Sequence, residues 1–325
     1  MNAWDIFYKN IQINDFVKKN DKIVLAVSGG ADSVSMAHLF SRLSKKISFE
    51  SIIVNFNHNL RKNSHKDAIC VKKLSDNLKI PFVFKNLQVK DYSQKEKVSI
   101  ETAGRILRYS NLEAIAKKHH CNKIATAHNA DDNAETVIMR LLRGSGTFLG
   151  IPQERKISDT LAVIRPLLCI KRSLIEDYAK NHNLKFLHDE TNFLDIYTRN
   201  KIRLSVSPVF KKINPFFAEH IFSLSQIQAR EDAYLEKLSL IYAKKCSTAT
   251  KNKIKIDLKK FTKYDEAIKY RILKILIPEK KYSDNINLVM NKIKLKSKYE
   301  HILSAIWIFK VTKNFIAFCK VNQSQ

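Results

Sequence analysis

The chain has 325 residues, 45% hydrophobic and 27% charged, with 58 basic against 31 acidic side chains and a formal net charge of +27. That length allows two domains, and the composition can bury a core, which excludes a disordered chain. So large a positive charge points to a polyanionic partner, nucleic acid or an anionic membrane surface, while no apolar run approaches the roughly 20 residues of a membrane span.

The N-terminus, MNAWDIFYKNIQINDF, has polar residues interspersed throughout and so no signal-peptide core, and a cytoplasmic protein is expected. The five cysteines, Cys70, Cys121, Cys169, Cys246 and Cys319, are scattered and form no CxxC. This disfavours a disulfide framework, a zinc ribbon and a cysteine-held iron–sulfur cluster. The basic residues are 45 Lys and 13 Arg, and abundant Lys, Ile and Asn also fit an AT-rich gene, which would account for part of the charge. The distribution still matters, because residues 201–325 carry 26 basic and 10 acidic groups against 32 and 21 in residues 1–200. The C-terminal part is the denser in charge and the better candidate for contact with a phosphate backbone.

In chain order, KIVLAVS (22–28) is a continuous apolar run, as a buried parallel strand should be. Asp32 to Leu43 reads as a helix, SIIVNFN (51–57) as a second strand and His65 to Leu78 as a helix. PFVFKNL (81–87) is a third strand. From Ser99 to His119 the periodicity is helical, with Ile106, Tyr109, Leu112 and Ile115 spaced for one face. KIATAH (123–128) is a fourth strand, Asp131 to Leu142 a fourth helix, and LAVIRPLL (161–168) is expected as an edge strand. This rhythm predicts an α/β fold with a doubly wound parallel sheet. After about Asn200 it gives way to helical patterns over 215–245 and Lys-rich amphipathic helices over 257–296. The expected division is therefore 1–205 and 206–325; a family resemblance, carried by the motifs that follow, implies a catalytic role for the first and a helical linker with a small basic RNA-binding domain for the second.

Three stretches carry chemistry. Ser28-Gly29-Gly30-Ala31-Asp32-Ser33 lies where the first strand opens into the first helix. Backbone N–H groups and a helix N-terminus make an anion site there, with Ser28 and Ser33 as hydroxyl donors and Asp32 placed to hold Mg2+ against a phosphate. A plain strand–helix turn with an Asp or Ser cap is the alternative. His128-Asn129-Ala130-Asp131-Asp132-Asn133-Ala134-Glu135 follows the fourth strand, and groups past strand ends converge on one crevice in an open parallel sheet. Asp132 and Glu135 share a helical face and suit an ammonium group or a metal; helix capping explains Asp131 but not His128 beside the pair. Arg105 and Arg108 share a face in ETAGRILRY (101–109), and ten of the 13 arginines lie between positions 61 and 203, where a planar fork suits carboxylate or phosphate. Asn57-His58-Asn59-Leu60-Arg61, Arg143-Gly144-Ser145-Gly146, Asp189-Glu190-Thr191-Asn192 and Arg199-Asn200-Lys201-Ile202-Arg203 are weaker signals.

Together these stretches resemble the PP-loop ATP pyrophosphatases, the SGGxDS proteins. Within them the order SGGADS, NHNLR, ETAGRILRY, HNADDNAET, LLRGSGTFLGI, RPLL, DETN and RNKIR, over about residues 20–203, is similar to the tRNA(Ile)-lysidine synthetases. The resemblance implies that Ser28, Gly29, Gly30, Ala31, Asp32 and Ser33 cradle ATP, with His58 and Arg61 near the nucleotide and Asp32 in the Mg2+ site. It implies catalytic roles for Asp32, Arg108, His128, Asp132 and Glu135. Arg108, Asp132 and Glu135 match positions that hold the lysine substrate, and Arg143, Arg199 and Arg203 would lie near ATP or tRNA. The implied partners are L-lysine and tRNA(Ile) with a CAU anticodon. The chain departs from the family in Asn133, where Gln is common, and in Asn57-His58-Asn59, where Asp-His-Gly is common. A PP-loop tRNA thiolase, a small-molecule amidation enzyme and a non-catalytic RNA-binding protein stay open as alternatives. The sequence is compatible with a homodimer and does not fix the oligomeric state.

Overall fold

Strand β1 (Lys22–Ala26) shows how the first part is built. Ile23, Leu25 and then Val27 enter one apolar cluster, while Val24 and Ala26 enter another on the opposite face of the sheet. A period of two with both faces covered is what a continuous apolar run requires. The same split recurs in β2 (Glu50–Asn57), with Ile53 against Val54, and in β4 (Lys123–Ala125), with Ala125 against Ile124. With β3 (Phe82–Asn86), β5 (Glu154–Lys156) and β6 (Ala162–Ile164) these strands form a six-stranded sheet ordered β3-β2-β1-β4-β6-β5. All pairs are parallel except β5 with β6.

The computed structural model describes residues 1–58, 64–144, 150–187, 198–277, 283–294, 299–302 and 307–320. One face of the sheet is covered by α1 (Ala3–Ile13), α2 (Ala31–Leu43) and α7 (Arg172–Asn181), whose Phe7, Ile11, Leu39, Phe40 and Ile175 enter the larger cluster. On the other face lies α5 (Ile100–Lys118), with Leu112, Ile115 and Ala116. Helices α3 (Ser64–Leu78) and α6 (Ala130–Leu142) match the expected segments within a residue or two. Neither α1 nor α4 (Val89–Glu96) nor α7 was expected. The α1 signal is nonetheless local: Asn2 caps it and Asp5 closes the reciprocal bond, 3.0 Å from the Asp5 N–H and 3.4 Å back. The expectation of an edge strand at 161–168 is corrected. β6 is fully buried between β4 and β5, and the exposed Glu154-Arg155-Lys156 forms the edge, too short and polar to show a period.

The chain divides into two units, Met1–Gln228 and Ala229–Gln325. The first ends with α8 (Thr198–Lys201), a π-helical stretch at Ile202–Val206, α9 (Ser207–Ile213) and the start of α10 (Phe217–Cys246), which runs on into the second unit. In the second unit, α11 (Leu258–Phe261), α12 (Glu266–Leu276) and α13 (Ser283–Lys294) accompany a five-stranded antiparallel sheet. Its strands are β7 (Ser247–Ala249), β8 (Lys253–Asp257), β9 (Tyr299–Ile302), β10 (Trp307–Val311) and β11 (Phe315–Lys320), ordered β7-β8-β11-β10-β9. Helix predominates after residue 206 as predicted, but the sheet was not foreseen. Its core joins Ile256, Phe309 and Phe318 to Ile272, Leu273 and Val289.

Candidate active site

The strand order changes direction at β1: the chain winds outward through β2 and β3, then returns to place β4 on the other side of β1. At such a switch point the loops after the two central strands part and leave a crevice. The two strongest motifs follow those strands.

After β1, Gly29 adopts φ 99°, a conformation open to glycine and strained for any other residue. The turn is held from inside by Ser33, whose Oγ accepts the Ser28 and Gly29 N–H groups at 3.1 and 3.2 Å and donates to the Gly30 carbonyl at 3.0 Å. Gly30 is the N-cap of α2 and brings no side chain to cap it. The first-turn amides of α2 therefore have no side-chain cap, an arrangement that suits phosphate oxygens. Asp32 sits in the same turn. Burial, opposed by Arg172 and reinforced by Asp132 and Glu176, raises its carboxyl to about 6. Its Oδ1 is buried without a hydrogen-bond partner. One orphaned carboxylate oxygen beside a phosphate cradle fits Mg2+, which prefers one or two carboxylates plus substrate phosphates to an all-protein cage. Among the described residues no cluster of three or more His, Cys, Asp or Glu could hold a metal by itself.

After β4, Asn129 caps α6. It accepts the Asp132 N–H at 2.9 Å, while Asp132 Oδ2 accepts the Asn129 N–H at 3.1 Å. The cap fixes the Asp132 carboxylate and leaves Oδ1 free for other partners. Arg203 reaches that atom at 3.1 Å, Arg199 at 3.4 Å and Arg172 at 3.6 Å. Glu135, one turn on and 2% exposed, receives Arg199 Nε at 2.9 Å and Arg203 Nε at 2.7 Å. The expected pair of carboxylates thus shares one face, and two arginines of the α8–π segment neutralise it. Arg199 and Arg203 lie on carboxylates rather than on an open surface. Glu135, Asp132 and Asp32 stabilise the Arg203 guanidinium beyond what its burial costs.

Arg172 is the residue the sequence reading left unassigned. Its Nη2 lies 3.7 Å from Asp32 and 3.6 Å from Asp132, so one guanidinium bridges the two motifs. Its backbone N–H donates to Asp131 at 2.7 Å, which sets the start of α7 against the start of α6. Its only sequence signal was its place among the ten arginines between positions 61 and 203.

A third wall is cationic. Arg105, Arg108 and Arg155 lie 5.1–5.6 Å from the centre of the Tyr109 ring. Arg165, 3% exposed, donates to the Pro152 carbonyl at 2.6 Å. Burial opposes ionisation of Tyr109, but Arg165, Arg108 and Arg105 bring its hydroxyl below the ordinary value. His128 pairs through Nδ1 with Thr126 Oγ1 at 3.0 Å. Burial, then Arg165, Arg108, Arg199 and Arg105, hold its imidazolium well below the usual range, so the ring is neutral at pH 7. His58 is likewise lowered by burial and by Arg108. A basin with this surplus of guanidinium and neutral imidazole accepts an anion. Arg143 stands apart, exposed at the far end of α6, eleven residues and about 16 Å along the helix from Asp132. Arg61 and Asp189 to Asn192 lie outside the described residues.

A family model of the PP-loop domain matches residues 5–210. The tRNA(Ile)-lysidine synthase of Petrotoga mobilis is 42% identical over 223 residues, covering 68% of this chain and 70% of that protein. The chain belongs to the tRNA(Ile)-lysidine synthase family of PP-loop proteins. The family member from Clostridioides difficile is 37% identical over 83% of this chain but only 59% of its own length, so this chain spans a smaller part of such longer relatives. Among solved structures, the U34-tRNA thiolase NcsA of Methanococcus maripaludis aligns with TM-score 0.59 at 20% identity, covering 68% of this chain and 77% of that one, a likeness of fold.

Proposed function

We propose that this chain joins the ε-amino group of L-lysine to C2 of the wobble cytidine of tRNA(Ile) with a CAU anticodon, consuming ATP, releasing AMP and pyrophosphate, and changing codon specificity from AUG to AUA. The observation that carries this reading is the Arg172 guanidinium between Asp32 and Asp132, which ties the phosphate turn to the carboxylate pair in one crevice. The cytosine 2-oxygen is a poor leaving group. Its attack on the α-phosphate of ATP, with departure of pyrophosphate, makes it an adenylate. The lysine ε-amine then attacks C2, and AMP leaves with that oxygen.

The chain's own groups divide this work. The Ser28–Ser33 turn would bind and orient the phosphates. Mg2+ held between Asp32 and the phosphates would offset the charge building up on pyrophosphate. Asp132 and Glu135 would hold the incoming ammonium in place of part of their arginine contacts, and one of them would accept its proton, since only the neutral amine attacks. The arginine basin around Arg108 would take an anionic group, and neutral His128 would donate or accept one hydrogen bond without adding charge. Anticodon bases must leave their stack to enter such a crevice. No helix among the described residues is long and apolar enough to cross a membrane.

Sulfur transfer is the second reading. Cys169, two residues before α7's cap at Lys171, has its thiol pushed up by burial to about 12, so it is no thiolate at neutral pH. The deciding experiment is ATP-dependent incorporation of labelled lysine into transcribed isoleucine CAU tRNA, with methionine CAU tRNA as the control. Incorporation into the first alone is expected. ATP cleavage on other tRNAs without lysine incorporation would replace this reading with another base modification.

A further inference from the structure

Apolar groups normally leave the surface, yet the segment after the site arginines keeps several in water. Ile213 is 78% exposed, Phe216 58% and Val209 55%. Three contacts fix this surface at the rim of the crevice. Lys211 of α9 pairs with Asp131, the neighbour of Asp132. The Lys171 ammonium lies 5.4 Å over the Phe216 ring and 3.3 Å from Glu219. Lys171 is the N-cap of α7, whose next residue, Arg172, touches both Asp32 and Asp132. Phe216 is thus presented by the turn between α9 and α10, one residue removed from the guanidinium that joins the two motifs.

The turn is stiff rather than loose. Phe210 and Phe217 stack at 4.7 Å with ring planes 8° apart, and Asn214 accepts the Phe216 N–H at 2.9 Å. His220 lies beyond, its ring 6.3 Å from that of Phe216. The surroundings are cationic: Lys201, Lys211 and Lys212 are exposed, and Glu219 is the sole acid between residues 198 and 220. A protein partner on a basic rim of this kind would bury lysines along with the apolar groups. A nucleobase needs one exposed ring, and its phosphates take the lysines.

We propose that Phe216, flanked by Lys171 and His220, is a stacking platform for an unpaired base of the RNA substrate, next in the strand to the nucleotide that enters the crevice. The proposal rests on the RNA-modification reading above. Extracting one base from an anticodon loop breaks its stacks on both sides. A ring at the rim replaces one of them and sets the direction in which the strand approaches.

The test is a fluorescence titration of the full chain, in Mg2+ and ATP, with an anticodon hairpin carrying 2-aminopurine beside the target cytidine. Phe216→Ala and Phe216→Leu are expected to weaken binding about tenfold and to lose the quenching, while Phe216→Tyr keeps both. Phe216 is exposed, so these variants fold, and ATP titration verifies it. Leucine binding and quenching like wild type would overturn the proposal, because any apolar group would then serve. A concentration-dependent dimer that Phe216→Ala dissociates would overturn it too, assigning the face to a second copy. If wild type transfers lysine and Phe216→Ala leaves KM for tRNA unchanged, the platform alone fails. If wild type neither binds the hairpin nor transfers lysine, the functional reading fails and takes the platform with it.

Discussion

Asp32 is held in a costly state. Its folded carboxyl titrates at about 6 against an ordinary 3.8, because burial outweighs the attraction of Arg172. The folded protein keeps a proton that the unfolded chain releases between about pH 4 and 6. Stability without nucleotide therefore falls as pH rises through that window and stays lower above it. Asp32→Asn removes the charge and keeps the shape. At pH 8 it should raise the melting temperature of the nucleotide-free protein by several degrees, equivalent to about 2 kcal/mol, and the gain should vanish near pH 4. The same variant should lose ATP-dependent lysine transfer. A lowered melting temperature at pH 8 would mean that the pair with Arg172 is worth more than burial costs. Asp132→Asn tests a different role, since asparagine can still accept the cap bond but no longer balances three guanidiniums. Lysine transfer should fall by about 1,000-fold with tRNA affinity within about twofold, read by filter binding beside the transfer assay. Near wild-type transfer would remove Asp132 from the chemistry. Both aspartates were legible in the sequence because their motifs follow strands. What they touch was not legible, because Arg172, Arg199 and Arg203 reach them across tens of residues and surface arginines have the same spelling.

At the scale of elements, continuous apolar runs such as that of β1, alternating with helical periods, made the parallel sheet readable, and the position past two strand ends made the crevice readable. β5 was unreadable, since its three exposed charged residues pair only because β6 offers an edge. The second sheet was missed for another reason: Lys253-Ile254-Lys255-Ile256-Asp257 alternates with a period of two, but over only five residues that lie between the two helical patterns. Asn133 is another case. It departs from the family's common glutamine, and the structure gives the shorter amide a place: its Oδ1 accepts the Ile151 N–H at 2.7 Å and its Nδ2 donates to Ser225 at 3.1 Å. It thereby ties α6 both to the chain after Gly150 and to α10. A Cβ on Gly150 would lie 2.0 Å from Asn133 Oδ1. Gly150→Ala should therefore cost about 2 kcal/mol in urea unfolding, as overpacking of a filled site does. Asn133→Ala alone also destabilises, by stranding the partly buried Ile151 N–H. In the Asn133→Ala background the Gly150→Ala cost should shrink to a few tenths of a kcal/mol. Additive costs would show that the glycine is needed for some reason other than this contact.

The whole molecule carries +27, and the question at that scale is whether the charge binds RNA or only reflects the gene's base composition. Position argues for binding. Lys251, Lys253, Lys255, Lys259, Lys260 and Lys263 are all exposed, on and beside β8 and α11. β8 turns Ile256 inward and leaves Lys253 and Lys255 exposed, so folding keeps the lysines of this stretch at the surface. Lysines that neutralise phosphates release counterions, and each contact contributes roughly 0.7–0.9 to the slope of log affinity against log salt. Lys251, Lys253, Lys259 and Lys263 are the four to replace by glutamine, since Lys255 packs over the Phe315 ring and Lys260 bonds the Lys245 carbonyl. The fourfold variant should flatten the tRNA slope by about 2–3 and weaken binding at low salt, with melting temperature and ATP affinity unchanged. An unchanged slope would make these lysines a solvated face. RNA affinity would then rest on the first unit, which carries the arginine basin and Phe216.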